Sequence, residues 1–90
     1  MIQNCVPLVH GIVDAFLFLE SAGSDEVDPD SAVRCMEHIS SSILKMSTSD
    51  QLALRLELEK IADSSRDSAY ANFVRALPDC IGLASSQPSP

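Results

Sequence analysis

Gln51-Leu52-Ala53-Leu54-Arg55-Leu56-Glu57-Leu58-Glu59-Lys60-Ile61-Ala62 is the densest run of strong helix formers in the chain, and its reading decides the fold. Leucine recurs at every second position from Leu52 to Leu58, a pattern that also suits a half-buried strand. The residues between the leucines decide for helix. Ala, Arg and Glu favour helical backbone, and no β-branched or aromatic residue occurs before Ile61. At about 100° per residue, Leu54, Leu58 and Ile61 gather on one stripe with Ala62 at its edge, while Leu52, Leu56 and Ala53 lie roughly opposite. A helix that is apolar on two sides must be covered on both, by its own bundle or by another chain.

Outward from this segment, helical punctuation repeats. Thr48 with Gln51 matches a capping box and Ser47 with Asp50 is a weaker version, so a helix is expected from there to about Ser65. Upstream, Asp28 as cap, Pro29 at the first helical position and Asp30 in the first turn begin a helix that runs to about Lys45. Its apolar residues Ala32, Met36, Ile39, Ile43 and Met46 are spaced 4-3-4-3, with Val33 beside them, as in a narrow packing seam. Ser40, Ser41 and Ser42 mark either a solvated face or a place where helices come close. Only a few residues separate these two segments, which predicts an antiparallel helical hairpin at the centre of the fold.

The first helix is expected from Leu8 to about Ser21, with Leu8, Val9, Ile12, Val13, Phe16, Leu17 and Leu19 forming its apolar side. Pro7 suits its first turn and Gly23 its end. Gly11 weakens it by about 1 kcal/mol relative to Ala unless a neighbour approaches closely. After the Gln51 helix, Asp67 or Ser68 caps a fourth, whose stripe is Tyr70, Phe73, Val74 and Leu77; Pro78 ends or kinks it, and 79–83 can add one turn. The expected architecture is therefore all-α, a small bundle of four helices with a central antiparallel hairpin. Residues 1–83 form one domain and 84–90 a mobile tail.

Composition supports this class and narrows the function. Ninety residues allow one domain with a modest core, and a hydrophobic content of 46% argues against wholesale disorder. Three Phe, one Tyr and no Trp leave the core to aliphatic side chains. Thirteen acidic against six basic residues give a formal charge of −7, which opposes binding to nucleic acid or to an anionic membrane surface. Cys5, Cys35 and Cys80 are scattered without CxxC spacing and read as reduced thiols. The apolar run from Val6 to Leu19 is interrupted by His10 and Asp14, so neither a signal peptide nor a membrane span is expected, and the protein is placed in the cytoplasm.

Each arrangement that resembles a site of chemistry has a plainer explanation. Glu26, Asp28, Asp30 and Glu37 fall at relative positions 1, 3, 5 and 12 of a calcium loop, but Ser31 replaces the required glycine and Pro29 starts a helix inside the loop. Capping accounts for the same carboxylates. Cys35 and His38 lie one turn apart as a single Cys-x-x-His pair, too little for zinc, and read instead as a core-edge thiol and an exposed imidazole. No nucleophile elbow or glycine-rich phosphate loop is present, and Glu57 and Glu59 point to different helix faces. No enzyme activity, metal or cofactor is expected.

What remains is interaction. Phe18 lies off the first helix's stripe, and with Leu52 and Leu56 it makes apolar surface beyond the needs of one bundle, expected to form a homodimer interface. Asp25, Glu26, Asp28 and Asp30 form an acidic surface suited to a basic protein partner. The expected function is an acidic, non-catalytic protein-interaction module. The alternative is an immunity- or antitoxin-type inhibitor of a basic toxin, which shares with this chain only size, charge and helix content. A small enzyme or metal-binding protein is the remote alternative.

Overall fold

The computed structural model describes residues 5–85. These fold into four α-helices: α1 (Val6–Ser21), α2 (Pro29–Ile43), α3 (Thr48–Ser64) and α4 (Ser68–Ile81). The helix starts follow local chemistry. Asp28 accepts from the Ser31 N–H at 3.0 Å, with Pro29 directly behind it as the first helical residue. Asp67 accepts from the N–H groups of Ala69 and Tyr70. At α3 the cap is Ser47 rather than Thr48, since the Ser47 hydroxyl accepts from the Asp50 N–H at 3.1 Å. Gln51 is thereby released for other work.

One helix end departs from expectation, and at another one of two readings holds. The chain leaves α1 through extended Ala22, so Gly23 is not needed in the left-handed conformation. Pro78 lies inside α4, which continues to Ile81. Its ring is buried, and its carbonyl accepts from both the Gly82 and Leu83 N–H groups as the helix closes. Gly82, at φ 91°, supplies the left-handed cap that an L side chain would adopt only with strain.

Packing pairs α3 with α4 most extensively, and also α1 with α2, α1 with α3, and α2 with α4. Each helix thus has two principal neighbours. The ring order is α1–α2–α4–α3, which sets α2 and α3 across the diagonal. The closest hairpin therefore lies between α3 and α4, one step later in the chain than the expected central pair. The turn through Leu44–Ser47 joins α2 and α3 at one end without laying them side by side.

Val9, Val13 and Phe16 from α1, Ile43 from α2, Leu54, Leu58 and Ile61 from α3, and Val74, Leu77 and Ile81 from α4 make up most of the core. On α3 the Leu54, Leu58, Ile61 and Ala62 stripe faces inward, whereas Leu56 is 57% exposed. The apolar side of α1 is narrower than its sequence pattern, since Leu8 is exposed. Among the described residues no buried side-chain nitrogen or oxygen lacks a hydrogen-bond partner.

The end of the chain is held by polar groups of α3. Arg55 Nε donates to the Ala84 carbonyl and Nη2 to the Leu83 carbonyl, both at 2.9 Å. Gln51 donates to the Leu44 and Met46 carbonyls while its Oε1 accepts from the Ala84 N–H at 3.0 Å. Ala84, assigned to a mobile tail on composition, is thus half-buried and anchored. Residues 86–90 of that expected tail lie outside the described residues.

Gly11 has open space around it, with nothing within 4 Å of where a Cβ would sit. No close helix approach requires it. Gly11→Ala should therefore raise stability by about 0.5–1 kcal/mol, read as a higher urea midpoint at unchanged slope. A lower midpoint would refute the open environment.

Candidate functional site

The most developed concavity is a groove of about 690 Å³ between α2 and α4, closed at one end by the last turns of α1. From α2 it takes Val33, Met36, Glu37, Ser40 and Ser41, continuing through Leu44 and Lys45. From α4 it takes Phe73, Ala76, Leu77 and Cys80, and from α1 Phe16 and Glu20. The α2 positions 33, 36/37, 40/41 and 44 follow helical spacing, so they form a second stripe beside the one that enters the core. Ser40 and Ser41, being small, leave the middle of the groove open. Val33 and Leu44 remain 51% and 40% exposed on its edge.

Its walls are apolar and its charges few. Glu20 stands at the end next to the connection between α1 and α2, Glu37 near the middle of α2, and Lys45 just beyond the end of α2. Gly82, which follows α4, sits against Leu44, which follows α2: a Cβ on Gly82 would lie 3.8 Å from Leu44 Cδ1. The C-terminal ends of the two helices therefore meet, and both walls of the groove run the same way.

A smaller cleft of about 270 Å³ lies between the start of α1 and the first turns of α3. Leu8, Ile12, Met46, Ala53 and Leu54 form its apolar part, with Asp50 and Glu57 on its rim.

The residues expected from the sequence to form an interface sit elsewhere. Phe18, 55% exposed, is in the last turn of α1, and Leu56 is on the outer face of α3, with Leu52 only half-buried beside it. None of the three borders either concavity. Asp25, Glu26, Asp28 and Asp30 are all exposed. Two of them serve the backbone, Asp28 as the α2 cap and Glu26 by accepting from the Gly23 N–H at 3.1 Å. The groove itself escaped the sequence reading. Its only signal was Val33 beside the α2 seam, three to four residues from the next groove positions.

Burial pushes the Tyr70 phenol above its ordinary value of 10.0, with the negative charge of Asp14 adding to the effect, so it stays protonated at neutral pH. Among the described residues no group of three or more His, Cys, Asp or Glu side chains is placed to hold a metal ion. Cys35, expected at the core edge, is exposed, as are His38 and the groove thiol Cys80. Two ion pairs lie on the outer surface, Arg75 with Asp63 at 3.1 Å and Lys60 with Glu57 at 3.5 Å. Among the described residues no helix is long and apolar enough to cross a membrane.

No protein-family model, curated protein or solved structure matches this chain.

Proposed function

We propose that this chain is a non-catalytic protein-interaction module of the cytoplasm, and that its principal working surface is the α2/α4 groove. One observation supports this reading above the others. A 90-residue bundle carries an apolar concavity of about 690 Å³ whose edge keeps Val33 and Leu44 in contact with water. Exposed aliphatic side chains around a concave apolar surface are the usual setting for a helix-in-groove contact.

The outer apolar residues Phe18 and Leu56, with Leu52 beside them, are retained as a separate self-association surface. Their exposure on α1 and α3 favours it, since twofold pairing would remove them from water. A narrower version of the module is an inhibitor of a basic protein toxin. Its support is the exposed acidic connection, of which Asp25 and Asp30 make no hydrogen bond that defines the turn or cap there.

The two surfaces are separated by comparing the wild type with Val33→Glu and Leu56→Glu. Both substitutions fall on exposed positions, so helicity by circular dichroism should be unchanged. Light scattering should show a dimer for the wild type and Val33→Glu, and a monomer for Leu56→Glu. Partners captured by the wild type should be lost with Val33→Glu and kept with Leu56→Glu. Capture that is indifferent to Val33→Glu would remove the groove from the proposal.

A further inference from the structure

We infer that the occupant of the α2/α4 groove is an amphipathic helix of another protein, about three turns long, lying antiparallel to α2 with basic residues in its last turn. This rests on the proposal that the groove is a docking surface, and it adds the chemistry and direction of what docks.

Length follows from geometry. Val33 to Leu44 spans eleven residue steps along α2, about 16 Å at ~1.5 Å per residue, which is close to three helical turns. The apolar walls, Met36 and Val33 on one side and Phe73 and Leu77 on the other, call for an apolar stripe at i, i+3, i+4 and i+7 on the guest.

Direction follows from charge. The end of the groove beside the α1–α2 connection carries Glu20, and Asp25, Glu26, Asp28 and Asp30 follow close by in the chain. Glu37 adds a second carboxylate along the wall, whereas Lys45 stands at the opposite end. A guest antiparallel to α2 ends at the acidic side. Lysine or arginine in its last turn then meets these carboxylates and its own C-terminal dipole together. A guest of the reverse direction would meet these carboxylates with its first turn, where lysine or arginine opposes the guest's own N-terminal dipole. A second copy of this chain fits poorly in the groove, because α1 to α4 have no basic residue in their last turns.

The test is selection on the intact protein of a displayed library of 14-residue peptides, with a fixed apolar helical stripe and Lys or Glu randomised at the polar positions. The expected result is enrichment of Lys over Glu in the last turn relative to the first, on the order of threefold to tenfold for one or two helix-end charge contacts. Glu20→Lys with Glu37→Lys should reverse that polarity, and Val33→Asp should abolish selection. Peptides selected without charge polarity but lost on Val33→Asp would overturn this inference and leave the groove as a docking site. Peptides that bind Val33→Asp equally, or no enrichment at all, would overturn both. If Val33→Asp turned a dimer into a monomer in light scattering, the occupant would be a second copy and the inference would fall.

Discussion

Leu58→Ala should destabilise the protein by about 2–5 kcal/mol, while Leu56→Ala, two residues away on the same helix, should change stability by no more than about 0.5 kcal/mol. Leu58 is 1% exposed and is among the most deeply buried large side chains, enclosed with Val13 and Val74. Truncation there removes three buried carbon atoms and leaves a void that the surrounding core can fill only by moving. For a domain of this size each kcal/mol lowers the melting temperature by about 4–8 °C, so the change is large against a total stability of about 5–15 kcal/mol. Leu56 already stands in water, and its loss creates no cavity. Thermal and urea unfolding of the monomeric state measure both. Equal effects at the two positions would mean that the outward leucine stripe is also core, and that a homodimer built on it is wrong.

Arg55→Ala is expected to cost about 2–3 kcal/mol, more than any other polar substitution in the chain, because its hydrogen bonds are charge-assisted and the carbonyls it leaves are partly buried. The guanidinium side chain is 18% exposed and donates to Leu83, Ala84 and Asp79. The Asp79 part is minor, since that carboxylate is 87% exposed and its pairing at 3.2 Å is screened by solvent. Asp79→Asn should therefore shift stability by less than about 0.5 kcal/mol. Arg55→Lys should recover only part of the loss, because one ammonium cannot match the two-nitrogen fork that spans consecutive carbonyls. Hydrogen exchange adds a local reading. The Ala84 amide, held by Gln51, should lose protection in Arg55→Ala before the amides of α1 do. A cost below about 1 kcal/mol would show that the clasp orders the chain end without stabilising the bundle.

Both predictions turn on α3, where the limits of the sequence are clearest. Its helical state was legible from residue types, and so was the presence of two leucine stripes. Which stripe faces inward was not, because period alone gives two equivalent sides. Arg55 carried no signal beyond its helix propensity, since its partners at positions 83 and 84 are backbone carbonyls. Gln51 read as the second half of a capping box with Thr48; Ser47 caps instead, and Gln51 bridges the Leu44–Ser47 turn to the chain end. Of the candidate sites, the acidic connection is exposed, and half its carboxylates serve the local backbone. The α2/α4 groove was not foreseen, since its walls come from segments about forty residues apart in the chain.

The sequence by itself determined four helices, their caps at Asp28 and Asp67, and a core of aliphatic residues. Such features close within about four residues, where chain order and spatial order coincide. Tertiary structure decided the ring order α1–α2–α4–α3, the inward side of α3, the continuation of α4 through Pro78, and the groove beside Val33. Each of these depends on which surface a helix meets, and contacts between helices are set by shape and burial across distant parts of the chain. Periodicity tells a helix that it must bury one face, but only its neighbours determine which apolar surface is left over.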